Sequence, residues 1–314
     1  MNTTPELFNS FRWILGSLLA SVCLAGAIGW ALGRRSPDSP AIRNLNARIR
    51  SWLLLIVIGG AALLAGRLAV VLLFALVSFL ALREFVDPAQ VQGLNTWTRF
   101  VLFFLALPAQ YLLVALDWRW PFTVAIPVLG FLALPLLALR GGAMRFLDRA
   151  GVAHFGLMSC VYCLSHIPAL GMLRIPGYED RAPLLMVFAV LIAQVSDIAQ
   201  YILGKLLGRR PVAPAISPSK TVEGLVGGVL SATLLGALLW RITPFSAWQS
   251  ALMALLIAIF GFLGGLVMSA IKRDRGIKDW GGAIKGHGGM LDRVDSLCLS
   301  APVFYHATRY FFGG

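Results

Sequence analysis

Charge is what this sequence has least of. Only 13% of its 314 residues are Asp, Glu, Lys or Arg, against about 25% in soluble domains. Hydrophobic residues make up 58% and mean hydropathy is +0.80, which excludes a water-soluble globular domain. Acidic residues are the scarcer sign, 14 against 27 Lys and Arg, for a formal charge of +13. No basic run is long enough to form a nucleic-acid patch, so nucleic acid is not an expected partner. The excess reads as loop cations that fix topology and meet the anionic headgroups of membrane lipids. Cysteine is limited to Cys23, Cys160, Cys163 and Cys298, all inside apolar stretches, so it carries no sign of an oxidising compartment. Cys160, Cys163 and His166 have metal-like spacing, yet successive members on one helix rotate by about 300° and do not converge on one ion. Fixed-period repeats and low-complexity segments are absent.

What is present is a series of apolar runs, near 13–33, 52–66, 68–82, 100–116, 121–139, 153–173, 184–204, 224–240, 247–271 and 296–312. A crossing takes about 20 apolar residues, so the expected fold is all-α: a polytopic integral membrane bundle of about ten helices. The range is eight to ten, because Arg67 alone divides 52–66 from 68–82 and one tilted helix is the rival there. The chain reads as a single membrane domain over 1–314, with amino-terminal helices over 13–173 and a second set of helices and loops, richer in polar and charged residues, over 184–312. Residues 42–52 have the pattern of a short amphipathic interfacial helix. The loops after the odd-numbered runs hold 20 of the 27 Lys and Arg. The positive-inside bias then puts those loops in the cytoplasm and both termini outside. Arg34 and Arg35 follow the first run while only Arg12 precedes it, which suits an uncleaved anchor.

Chemistry concentrates in the last of those loops, 269–296, with six cations, one His and the carboxylates Asp274, Asp279, Asp292 and Asp295. Gly288 and Gly289 precede an expected helix start, where backbone N–H groups form an anion site. Asp292 and Asp295, three residues apart on one face, would repel a phosphate unless a cation sat between them. Oxygen-only ligation favours Mg²⁺ or Mn²⁺. Helix capping and pairing with Arg273 and Arg293 is the plain structural alternative. In the loop 209–224, Ser217 followed by Pro218 reads as an N-cap with proline at the first helical position. That places Lys220 in the first turn of a helix, where a lysine argues for an anionic guest. Asp197 lies inside an apolar run, and a carboxylate at that depth is by default functional. Gln194, Asp197, Tyr201, Gly204 and Gly208 share its face, and an ion pair with an arginine is its plain alternative.

The run Ser269, Ile271, Lys272, Arg273, Lys278, Asp279, Gly281, Ile284, His287, Gly288, Gly289, Asp292, Arg293 and Asp295 resembles the signature of the bacterial phosphatidate cytidylyltransferases, the CDP-diacylglycerol synthases. Asp197 with Ile216, Ser217, Pro218, Lys220, Thr221, Glu223 and Gly224 is similar to that family's second characteristic stretch. The resemblance covers about residues 190–296 and departs from the pattern at Lys285, where the family usually has Pro or Gly. It implies CTP plus phosphatidic acid giving CDP-diacylglycerol and pyrophosphate at the inner membrane of a bacterium, with the active site at the cytoplasmic face and a homodimer. On the charge pattern, Asp292, Asp279, Lys278 and His287 are the catalytic candidates. Asp279, Asp292, Asp295 and Asp197 are the metal candidates, for Mg²⁺ or Mn²⁺ with a second cation such as K⁺ left open. Lys272, Arg273, Gly288, Gly289, Arg293, Lys220 and Ser217 are the CTP and phosphate candidates. A CTP-dependent lipid kinase or a relative with another acceptor, a transporter or flippase, and a catalytically idle relative are the alternatives.

Overall fold

The computed structural model describes residues 40–87, 94–178, 181–281 and 288–313, with isolated positions between 16 and 34. In order, its elements are α1 (Pro40–Ala65), α2 (Arg67–Phe85), α3 (Thr96–Ala115), α4 (Arg119–Leu139), α5 (Phe146–Met172), α6 (Pro183–Leu207), β1 (Pro211–Ala213), β2 (Ser217–Thr221), α7 (Val222–Leu238), α8 (Ala247–Asp274), α9 (Leu291–Val294) and α10 (Leu297–Phe312). Helix is the form expected of such apolar runs, because in lipid every backbone polar group must be satisfied within its own segment.

Among the described residues, six helices are long and apolar enough to cross a membrane: α2, α3, α4, α5, α6 and α8. Trp52–Ala65 and Val222–Leu238 are shorter apolar helices, and α10 has 16 residues. The run at 13–33 lies largely outside the described residues. Leu68, Leu72, Phe104, Leu132, Leu136 and Leu234 stand exposed on the outside of the bundle. In water this would be an aggregating surface; facing acyl chains it has no cost.

One expectation holds and one is corrected. The runs on either side of Arg67 are two helices rather than the rival single tilted one, because Gly66 takes φ 102, closed to most side chains, and breaks the helical path. Residues 42–52 are no separate interfacial helix: they form the first part of α1, which continues unbroken to Ala65.

The central helix is α5, with 83% of its apolar window buried against 22% for α4. Cys160, Cys163 and His166 lie buried within it, His166 Nδ1 2.8 Å from the Tyr162 carbonyl oxygen. Close packing of α6 on α7 sets the frame for the site. A Cβ at Gly224 would stand 2.7 Å from the Gln200 carbonyl oxygen and 2.9 Å from Gly204 Cα, so only glycine permits this approach. Next in sequence, α8 packs against α7, and α10 against α8.

Candidate active site

The residues between α6 and α7 form a hairpin. β1 pairs antiparallel with β2, Pro211 opposite Thr221 and Ala213 opposite Ser217. This corrects the reading of Ser217 as a helix N-cap. Proline at 218 holds the preceding residue extended, which serves a strand as well as a cap, and here the strand forms. The cap is Thr221, whose hydroxyl accepts from Gly224 N at 3.2 Å. Glu223 then reaches back to accept from Arg209 N at 2.9 Å and Arg210 N at 3.2 Å, closing the loop on itself. Ser217 is buried within the hairpin.

Lys220 therefore stands on β2, outside the first turn of α7. Its functional case rests instead on its surroundings. Burial pulls its pKa down while the carboxylates of Asp295 and Asp197 oppose that shift. Its ammonium lies 5.0 Å over the Phe262 ring. Asp295 is half-buried, and burial raises its pKa against the opposing pull of Lys220 and Lys272. Asp197, on α6, feels the charges of Asp295, Lys220 and Arg293, and Gln194 Nε2 on the same helix donates to the Arg293 carbonyl at 3.4 Å.

Asp292 is held from three directions. Lys272 Nζ, in the last turn of α8, donates to Oδ1 at 2.8 Å, with only 11% and 8% of the two side chains exposed. Trp280 N and Gly289 N donate to Oδ2 at 2.9 and 3.0 Å. Gly288 takes φ 80, and a Cβ there would meet Asp292 Oδ2 at 2.6 Å and Asp279 Cβ at 3.4 Å. Asp279 thus sits beside the same turn. The Gly289 amide, assigned from the sequence to a phosphate, is bonded to this carboxylate.

One residue of the site was missed by sequence reasoning. Glu84, at the end of α2, accepts from Met290 N on Oε1 and Leu291 N on Oε2, both at 2.8 Å. It fills the anion position at the start of α9 with a carboxylate of the chain's own. Next to it, Phe85 carries Arg275, which donates to the Phe85 carbonyl and lies 4.3 Å over its ring and 5.1 Å over that of Trp280. Arg275 and Leu291 are therefore both fastened to the end of α2. The only sequence signal for Glu84 was a carboxylate at the edge of an apolar run, with Asp87 three residues on.

The structure thus gathers Lys272, Asp292, Gly288, Gly289 and Asp279 around one turn, and Lys220, Asp295 and Asp197 beside it. Arg273 instead ties the hairpin, donating from Nε to the Ile216 carbonyl at 3.2 Å. Lys278 is exposed. His287 and Lys285 lie outside the described residues. Among the described residues, no three His, Cys, Asp or Glu side chains stand together as a ready metal cage. The arrangement offers half-buried lysines and carboxylate oxygens at the mouth of an apolar bundle, a setting for handling phosphate charge next to lipid.

Residues 46–311 match the cytidylyltransferase family. The chain is 38% identical over 301 residues to the uncharacterized protein YnbB of Escherichia coli K12, covering 94% of this chain and 97% of that one. It is 30% identical over 248 residues to a phosphatidate cytidylyltransferase of Staphylococcus epidermidis, covering 77% of this chain and 90% of the relative. To the phosphatidate cytidylyltransferase of Staphylococcus saprophyticus it is 37% identical over 153 residues, 48% of this chain and 59% of the relative. A match over most of the length settles the affiliation: the chain belongs to the cytidylyltransferase family and is a CTP-dependent nucleotidyltransferase of the membrane.

Proposed function

We propose that the protein is a phosphatidate cytidylyltransferase, converting CTP and phosphatidate to CDP-diacylglycerol and pyrophosphate in phospholipid synthesis. The observation that carries this reading is the Lys272–Asp292 ion pair with Lys220 and Asp295 brought together beside Gly265, all at one end of a lipid-compatible bundle. In the reaction an oxygen of the phosphatidate phosphate forms a bond to the α-phosphorus of CTP. The bond from that phosphorus to the bridging oxygen breaks, and pyrophosphate leaves with the electron pair. A phosphate monoester with a second pKa of about 6 is mostly dianionic at neutral pH, so the nucleophile needs no strong base. The barrier is repulsion between two anions, and positioned positive charge lowers it.

Lys220 receives the lipid phosphate, next to the bilayer. Lys272, Lys278 and Arg293 face the triphosphate with the turn at Gly288 and Gly289, and His287 orients a phosphate. Asp292 fixes Lys272 and the turn together, and Arg273 holds the hairpin that carries Ser217 and Lys220. The carboxylates also fit Mg²⁺ or Mn²⁺ bound as Mg²⁺ usually is, by one or two carboxylates completed by water and substrate phosphates. Asp292 is already met by Lys272, while Asp295 and Asp197 share the charge of Lys220 between two carboxylates, which leaves room for a further cation. Asp295 and Asp197 would hold the ion, with Asp292 and Asp279 adjoining and a second cation such as K⁺ sharing Asp197. When bound, it supplies neutralisation of phosphate charge. The ten apolar runs of the sequence support ten crossings, the charge bias of the loops supports the site on the cytoplasmic side, and the family resemblance supports a bacterial inner membrane and a homodimer.

The test is incubation of purified protein with radiolabelled CTP, Mg²⁺ and phosphatidic acid in detergent. Lipid-soluble cytidine label is expected, abolished by Asp292→Asn. Label in a lipid phosphate without cytidine, or no lipid label, overturns the reading.

A further inference from the structure

Between α7 and α8 the surface is hollowed into a groove of about 380 Å³, lined without a polar side chain by residues that include Leu225, Val226, Leu230, Ile259, Phe262 and Leu263. Val226, Leu230, Ile259 and Leu263 are exposed on its walls, so it opens sideways to the bilayer. From Leu225 to Leu230 it follows α7 for about 7 Å, at about 1.5 Å per residue.

What marks this groove is its end. Phe262, one of its walls, is the ring over which the Lys220 ammonium lies, 5.0 Å from the centroid. One turn further along α8, a Cβ at Gly265 would meet Lys220 Nζ at 2.7 Å and Asp295 Oδ2 at 3.8 Å. Glycine at 265 lets the ammonium lie flat against α8, above the apolar walls and beside Asp295. An apolar channel running along two membrane helices therefore ends at a partly buried cation. That combination fits a molecule with a hydrocarbon tail joined to an anionic head, both ends being matched at once.

We propose that this groove seats one acyl chain of the lipid-phosphate substrate, whose phosphate is held at Lys220. The inference rests on the reading of the protein as a phosphatidate cytidylyltransferase and adds where the lipid lies. It makes Val226 and Leu263 specificity-determining residues, acting on chain length.

The test uses the full-length protein in nanodiscs or mixed micelles, with dioleoyl and dihexanoyl phosphatidate as competing substrates. Val226→Trp and Leu263→Trp each fill the groove and are expected to lower kcat/KM for the dioleoyl lipid about tenfold more than for the dihexanoyl lipid, with the KM for CTP unmoved. Leu234→Trp, on the same helix but outside the groove, is expected to leave both substrates unchanged. Phosphatidate carrying a diazirine at the middle of one chain is expected to label the peptide containing residues 225–230, and unlabelled phosphatidate, but not phosphatidylcholine, to compete. Equal loss for both chain lengths overturns the proposal, as does labelling that phosphatidylcholine displaces equally, the mark of ordinary bilayer lipid. Efficient disulfide dimers of Val226→Cys would do the same, giving the groove to a second copy of the chain. If the unaltered protein forms no cytidine-labelled lipid, the underlying assignment has failed rather than the groove.

Discussion

The Glu84 carboxylate accepts the Leu291 N–H at 2.8 Å across 207 residues of sequence. With its second oxygen on Met290 N, it fixes the start of the short helix that presents Asp292. A membrane helix of the amino-terminal half thus completes a site whose other parts lie in the carboxyl-terminal half.

Replacing Glu84 should show this. Glu84→Ala removes both acceptors from the helix start, a loss of about 1–2 kcal/mol by analogy with N-caps. We expect kcat for CTP to fall at least tenfold, with a smaller change in KM for the lipid. Glu84→Gln keeps one acceptor and should retain more activity than Glu84→Ala. Steady-state kinetics on both variants check this, and equal activity of Glu84→Ala and the unaltered protein refutes the role.

Glycine in the same turn is required by space. At Gly289 a Cβ would meet Glu84 Oε2 at 2.2 Å, whereas at Gly276, which is in a left-handed conformation with φ 68, nothing lies within 4 Å. Gly289→Ala should therefore abolish turnover, and Gly276→Ala should suffer only backbone strain, about 1 kcal/mol. Parallel assays and melting curves in detergent separate the two effects; similar losses from both substitutions would mean that contact with Glu84 does not matter.

Lys272 and Asp292 form an ion pair with little exposure on either side. Removing one partner of such a pair leaves a buried charge, so Lys272→Met should destabilise by on the order of 3 kcal/mol. Asp292→Asn keeps an acceptor for the two backbone donors and should melt closer to the unaltered protein while losing activity. The double variant should be less destabilised than the sum, with a coupling of about 1–3 kcal/mol. Additive melting data would show the pair to be energetically independent.

Much of this site was legible in the sequence alone. The lysines and aspartates of 269–296 stand at short, fixed spacings, and local spacing is what a sequence displays directly. Asp197 was legible because a carboxylate inside an apolar run is rare and by default functional. Glu84 was not, because its partners are backbone N–H groups, which carry no residue signature, more than two hundred positions away. The hairpin was misread for another reason. The extended backbone that Pro218 imposes on Ser217 is shared by an N-cap and by a strand, and the choice fell to pairing with Pro211–Ala213 and to Thr221, which caps four residues later. The helices themselves were easy to read, and the break at Gly66 was signalled only by one glycine beside one arginine.

The fastening of Arg275 and Leu291 to a single helix end has a mechanical side. α2 is an apolar helix of 19 residues, about 28 Å at about 1.5 Å per residue, close to the depth of a bilayer's hydrocarbon layer. Helices of this kind tilt or shift when that layer thickens or thins. Both fastenings of the loop then ride with it, so α2 links the depth of the hydrocarbon layer to the position of the charged turn.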